Sequence, residues 1–183
     1  MRLRRRFCTG AGILMALTAF ASTPTRAQTG PVERISGEDG RYSVEMPAGY
    51  TSKTAPRPDG GTMRTISYLW KGPSEQYDEI ALAVIDPPPG STKQIDLWEV
   101  QRLVRARYPG LPSANAQEIR LGPAEGLSFA FTVNSNRNQG QHTIAFRIYA
   151  LGSRLYEMMA VTRADDRDNP VVVAFMNSLR INR

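Results

Sequence analysis

Residues 126–161 constrain the fold more than any other part of this chain. They read Gly-Leu-Ser-Phe-Ala-Phe-Thr-Val, a polar loop, His-Thr-Ile-Ala-Phe-Arg-Ile-Tyr-Ala-Leu, Gly-Ser, and Arg-Leu-Tyr-Glu-Met-Met-Ala-Val. Leu127, Phe129, Phe131 and Val133 alternate with Ser128, Ala130 and Thr132, the period-two signature of a strand with one strongly apolar face. Ile144, Phe146 and Ile148 alternate with Thr143, Ala145 and Arg147 in the same way. The pattern predicts three antiparallel strands in a row. Gly152-Ser153 is a two-residue turn of the type that places glycine at positive φ, so a tight hairpin is expected. A two-residue turn fixes register: Leu151 faces Arg154, Tyr149 faces Tyr156, Ile148 faces Glu157 and Phe146 faces Met159. Ile144, Phe146, Ile148, Ala150, Leu155, Met159 and Val161 then share one face, and Arg147, Tyr149, Tyr156 and Met158 the other. A slip of one residue would turn every side chain over.

The N-terminus explains the charge balance. Arg2, Arg4, Arg5 and Arg6 precede an apolar run from Ala11 to Ala21, and small residues lead to Thr25-Arg26-Ala27-Gln28. A basic head, a short apolar middle and a small-residue exit make a secretory signal peptide over residues 1–27. The run is shorter than the ~20 residues that span a bilayer, so no transmembrane anchor is expected after cleavage. A Sec signal is favoured; Arg4-Arg5-Arg6-Phe7 fits the twin-arginine pattern loosely, with Leu3 where Ser or Thr is usual. The place of action is therefore periplasmic or secreted. Residues 1–27 hold five of the 23 Lys and Arg and none of the 17 Asp and Glu. What remains has 18 basic against 17 acidic residues, and the pI near 9.8 mostly reports the export signal. That balance gives no electrostatic footprint for nucleic acid or an anionic membrane. Cys8, the one cysteine, also lies in this segment, so the exported chain has no disulfide, thiol nucleophile or thiolate metal site. The remaining 156 residues suffice for one domain with its own core.

Residues 28–40 carry turn formers and little apolar content, and read as a flexible lead-in in which Val32 and Ile35 dock. A single α+β domain then covers 41–183. Its first strand is Arg41–Met46, stopped by Pro47. Residues 51–61, rich in Pro, Lys, Thr and Gly, read as an exposed loop. The second strand is Thr62–Trp70, with Ile66, Tyr68 and Trp70 on one face. The third, Glu79–Asp86, is apolar on both faces, which marks a central strand covered on both sides. After Pro87-Pro88-Pro89-Gly90, Asp96-Leu-Trp-Glu99 has the residue types of a capping box. Leu97, Val100, Val104 and Tyr108 recur at helical spacing, with Arg102 and Arg105 opposite. Pro109-Gly110 stops that helix. A short strand over Glu118–Leu121 leads into the 126–161 block. A last helix has Asn169 as its cap, Pro170 at its first position and Val172, Phe175, Met176 and Leu179 as its buried stripe.

Catalytic and metal chemistry find no motif. His142 alone cannot make an ordinary zinc site, and reads as a surface imidazole beside the polar loop. Gly126-Leu-Ser128-Phe-Ala130 lacks the second glycine of a nucleophile elbow, and Ser128 falls inside a strand. Asp165-Asp166-Arg167-Asp168 lacks the ligands and glycine of a calcium loop. It reads as a solvated acidic run favourable to the dipole of the last helix. Glu157 is the misfit, a carboxylate whose register neighbours are Ile148, Phe146 and Met159; a position at the sheet rim is the favoured explanation. Arg147, Tyr149 and Tyr156 make a small cation-bearing aromatic patch, and with Glu157 they are the candidate ligand-binding residues. Cross-strand pairing under a covering helix explains the tyrosines equally. No metal ligands and no cofactor are assigned.

Gly40-Arg-Tyr-Ser-Val-Glu-Met-Pro-Ala-Gly-Tyr50 resembles the opening of Mog1/PsbP-like domains, including small exported bacterial ones. The helix after a Pro/Ser-rich loop, the run of antiparallel strands, Arg154-Leu-Tyr156 and Phe175-Met-Asn-Ser-Leu179 are similar to the rest of that pattern, over about residues 40–182. The resemblance implies an antiparallel sheet with helices on both faces and non-enzymatic binding or assembly. It transfers no partner-binding residue. The expectation is an exported accessory protein without catalysis, binding an envelope protein by a face or rim of its sheet. The alternative is a small-molecule or lipid carrier with a pocket between sheet and helix near Tyr149, Tyr156 and Glu157.

Overall fold

The computed structural model describes residues 31–71, 77–108, 115–135, 140–166 and 168–182. The expected signal peptide and the Pro109-Gly110 helix stop lie outside them. The element order is β1 (Val32–Ser36), β2 (Tyr42–Pro47), β3 (Thr51–Pro56), β4 (Thr62–Lys71), β5 (Tyr77–Asp86), α1 (Leu97–Ala106), β6 (Gln117–Leu121), β7 (Ala124–Ser135), β8 (Gly140–Leu151), β9 (Arg154–Arg163), α2 (Pro170–Ser178) and β10 (Arg180–Ile181). Seven strands form one antiparallel sheet in the order β3-β4-β5-β9-β8-β7-β6, and three form a second in the order β1-β2-β10.

The hairpin of β8 and β9 has the expected register. Leu151 pairs with Arg154, Tyr149 with Tyr156, Ile148 with Glu157 and Phe146 with Met159, and Gly152 sits at φ 61°. The two faces of the large sheet therefore separate as the alternation requires. One face presents Leu127, Phe129, Phe131, Ile144, Phe146 and Ile148 to α1, whose Val104 is fully buried among them. Phe146 packs against Phe129 and Phe131 at ring separations of 5.2 and 5.8 Å. Asp96 caps α1 by accepting from the amides of Trp98 and Glu99, as its sequence position predicts.

The opposite face presents Ile80, Leu82, Val84, Tyr149, Tyr156 and Met158 to α2 and to the three-stranded sheet. Asn169 caps α2 and Pro170 opens it. At the other end of this helix, the Ser178 hydroxyl donates to the Phe175 carbonyl and accepts from the Glu45 amide at 3.0 Å, tying α2 to β2. The fold class is thus α+β, an antiparallel sheet with a helix on each face.

Three segments differ from the sequence reading. Residues 32–36 of the expected flexible lead-in are β1, paired along β2 with Ile35 buried and Val32 exposed. The expected loop over 51–61 contains β3, an edge strand with little buried surface, which leaves it no apolar alternation to read. β10 is two residues long and pairs with β2, so one covering layer is part sheet rather than helix alone.

Gly126 is required by close packing. Gly126 on β7 lies opposite Tyr149, and a Cβ there would fall 2.5 Å from the Ile148 carbonyl oxygen and 2.6 Å from the Tyr149 ring. The backbone contact cannot move without opening the ladder. Gly126→Ala is expected to destabilise the chain by about 1–3 kcal/mol, the usual range for overpacking. Urea unfolding would show this as a lower midpoint at unchanged slope; an unaltered midpoint would contradict the close approach.

Candidate functional site

The four sequence candidates do not converge. Tyr149 and Tyr156 face each other under α2, and both are buried. The Tyr42 ring of β2 stands edge-on to Tyr156 at 5.8 Å. Burial pushes the phenols of Tyr42, Tyr149 and Tyr156 above their ordinary pKa. Arg147 shares their face and closes the end of α2. Its Nη1 donates to the Met176 carbonyl at 2.7 Å and to Asn177 Oδ1 at 3.0 Å, a cation set on the last carbonyls of a helix.

Glu157 lies on the opposite face. It is not at the rim: β9 is an interior strand, and Glu157 sits between Ala83 of β5 and Ile148 of β8. Its side chain is 12 % exposed, with Arg107 at the end of α1 3.6 Å away. Burial raises its pKa and the Arg107 charge only partly offsets this.

His142 is also placed differently from the reading. It is buried, in phase with Ile144, Phe146 and Ile148, and neither ring nitrogen has a hydrogen-bond partner. The cause is the strand start. β8 begins at Gly140, so the inward alternation reaches His142. The same extension acts on β5, which begins before Glu79 and turns Asp78 inward in phase with Ile80, Leu82 and Val84. Asp78 is 1 % exposed and both carboxylate oxygens lack a partner, as does Nε1 of Trp70 opposite it. Burial raises the Asp78 pKa and the Asp166 charge adds to the rise, while His142 and Arg163 oppose it. A polar residue two places before an apolar alternation, kept in its phase, is the signal that would have found both.

At the opposite end of the sheet, charge is well paired. Arg154 Nη1 donates to Asp39 Oδ2 at 2.6 Å and its Nε donates to Asp86 Oδ1, joining the β1–β2 turn to the ends of β5 and β9. Burial works against the Arg154 charge, but its two carboxylate partners hold its pKa above the ordinary value. Beside it an open polar recess of about 230 Å³ is lined by Tyr42, Thr54, Thr62, Arg64, Asp86 and Arg154. Among the described residues no group of three or more His, Cys, Asp and Glu is placed to hold a metal ion.

Two further open grooves have mixed polar and apolar linings. A recess of about 370 Å³ runs along α2, floored by Ser128, Ala130 and Ala145, walled by Val172, Val173 and Met176 and ended by Arg147 and Asn177. Val173 is 45 % exposed there. The floor is shallow because the strands put small side chains on this face and phenylalanines on the other. A second groove of about 500 Å³ lies between the start of α1, where Trp98 is 51 % exposed, and β6–β7. No helix among the described residues is long and apolar enough to cross a membrane.

A large sheet covered by α1 on one face and by α2 with the small sheet on the other defines an α+β sheet-and-helix domain. The solution structure of cyanobacterial PsbP (CyanoP) from Synechocystis sp. PCC 6803 is similar over 96% of this chain and 98% of its own, with TM-score 0.50 and 12% identity. That likeness shows the fold alone, an α+β antiparallel sheet with helices on both faces, as the Mog1/PsbP-like resemblance over about residues 40–182 implies. LpqN of Mycobacterium tuberculosis, described as involved in cell envelope biogenesis, aligns over 84% of this chain and 91% of its own, with TM-score 0.46 and 13% identity. A Bacteroides thetaiotaomicron VPI-5482 crystal structure aligns over 85% of this chain, with TM-score 0.45 and 9% identity. The matched region is 49% of that longer protein. No protein-family model matches the sequence, and no curated protein matches it.

Two predictions follow from the paired and unpaired ends. An acid whose folded pKa is raised binds its proton more tightly folded than unfolded. Stability is therefore highest below the unfolded pKa of 3.8 for Asp78 and falls as pH rises from there through the folded value. Asp78→Asn removes the charge and keeps a buried polar group, so it should raise stability at neutral pH, and the gain should vanish in melts near pH 3.8. A gain independent of pH would refute the charge argument. Conversely, Arg154→Ala should destabilise by about 1–3 kcal/mol in the same assay, and Asp39→Ala made on top of it should cost less than Asp39→Ala alone.

Proposed function

We propose that this chain is an exported accessory protein of the cell envelope, working in the periplasm or as a secreted protein. It acts by binding another envelope protein, with no catalysis or cofactor of its own. The observation that carries the reading is the recess along α2. Its floor is lined by the small residues Ser128, Ala130 and Ala145, its wall exposes Val173 above the buried Met176, and Arg147 and Asn177 supply polar groups at one end. An apolar centre with a polar margin is the anatomy of a protein-binding patch. The export pattern of residues 1–27 supplies the location. Arg147 keeps a role from the sequence-based candidates, as the residue that fixes the end of the recess. The carrier alternative is less favoured, because Tyr42 packs against Tyr156 where its pocket was expected.

A photoreactive amino acid at Val173, activated in intact producing cells, should give a covalent adduct with a specific envelope protein. The same group at Leu69, exposed on β4, should not. Ala130→Arg, at an exposed position in the recess floor, should reduce the Val173 adduct by about tenfold or more, as expected for a charge set into a contact centre. Equal labelling from Val173 and Leu69, or lipid adducts alone, would overturn the proposal.

A further inference from the structure

The large sheet has two edges, and they are built differently. β3 carries Lys53 and ends at Pro56, both exposed, and a lysine and a proline are devices that keep an edge from pairing. β6 has no proline and no lysine. It ends the sheet on the other side, and no described residue pairs with its outer edge.

Its sequence is Gln117-Glu118-Ile119-Arg120-Leu121, with opposite charges one residue either side of Ile119 and on the same face. Turning a second β6 antiparallel about Ile119 puts each Glu118 opposite the Arg120 of the other copy. Ile119 then faces itself, and Gln117 faces Leu121. Within one copy Arg120 already lies opposite Glu125 of β7, 3.2 Å away, whereas Glu118 has no described charge partner. The pairing would place each Arg120 between two carboxylates and give each Glu118 its cation.

We propose that two copies of this chain associate through β6 about a two-fold axis normal to the sheet. The contact is isologous, so one strand satisfies both sides. Opposite charges directly across a strand pair stabilise it, and the free backbone groups of both edges find partners. An axis in that direction also puts both α1 helices on the same side of the joined sheet. The two Trp98 side chains, each half-exposed beside the groove over Glu118 and Arg120, then flank the seam. Both recesses along α2 lie together on the other side. The inference does not depend on what those recesses bind.

Sedimentation velocity on the processed protein, purified from the envelope after expression of the full chain, tests this across a concentration series. A monomer–dimer equilibrium is expected, weakened by salt. Glu118→Arg and Arg120→Glu should each raise the dissociation constant by about tenfold, because each change makes two like-charge pairs. The double swap Glu118→Arg/Arg120→Glu should return it to near the original value. Amide exchange in β6 should slow as concentration rises. Thermal melts confirm that the variants, changed only on an exposed strand, remain folded. A monomer at every concentration, including one that pairs β6 with a different protein, overturns the inference. So does a dimer indifferent to single reversal, or one that the double swap fails to restore.

Discussion

The register of the β8–β9 hairpin decides which half of the core belongs to which covering layer. With Gly152 at positive φ the turn closes on two residues, and Tyr149 must meet Tyr156. A shift of one residue would send Phe146 and Ile148 toward α2 and the tyrosines toward α1, leaving neither helix a complementary surface. β9 then passes the same phase to β5, where Val84 lies beside Tyr156 and Leu82 beside Met158. β8 passes it to β7 in the other direction, where Gly126 makes room for the Tyr149 ring. A local turn thereby sets the faces of a seven-stranded sheet.

Arg154, the first residue after that turn, extends the constraint to the second layer. Its position at the start of β9 is fixed by the hairpin, and from there it reaches Asp39 in the β1–β2 turn and Asp86 at the end of β5. The bond to Asp39 crosses between the two sheets. Tyr42, three residues on, packs its ring edge against Tyr156 from above. One contact is ionic and directional, the other apolar. Together they hold the small sheet where it fills the space between α2 and the hairpin. That filling also moves open apolar surface away from the aromatic residues and out to the small-residue floor of β7 and β8.

The parts legible in the sequence were those with strong local rules. Two-residue turn geometry gave the hairpin, Asp96 and Asn169 gave both helix starts, and the two-sided apolarity of β5 gave its interior place. β3 was not legible because an exposed edge strand is held by backbone pairing to β4 and needs no apolar side chains. β1 gave only Ile35 as a buried signal. Asp78 and His142 were missed for another reason. Each continues an inward alternation beyond its last apolar residue, where residue type argues for solvent and phase argues for burial. Phase prevailed, since pleating is a backbone property and does not consult the side chain. Glu157 followed its phase too, and was read correctly as to face; its distance from the rim depends on strand order, which no local pattern carries.

The sheet is thus held unequally at its two ends. At the hairpin end two carboxylates share one guanidinium, and the charges there stabilise the packing of two layers. At the far end Asp78, His142 and Trp70 bury polar atoms with no partner, as the Tyr42 and Tyr156 hydroxyls do nearer the hairpin. Burial there disfavours the charged carboxylate, and the nearby Asp166 increases that cost. A chain selected for stability alone would tend to lose such groups, because a buried unsatisfied acid contributes nothing that an amide or an apolar residue of similar size could not. Their presence lowers what the far end contributes to stability. The edge strand β6, by contrast, continues the ladder through β7 into the firmly registered centre. A second strand added there would extend a ladder that is already in register with the centre of the sheet.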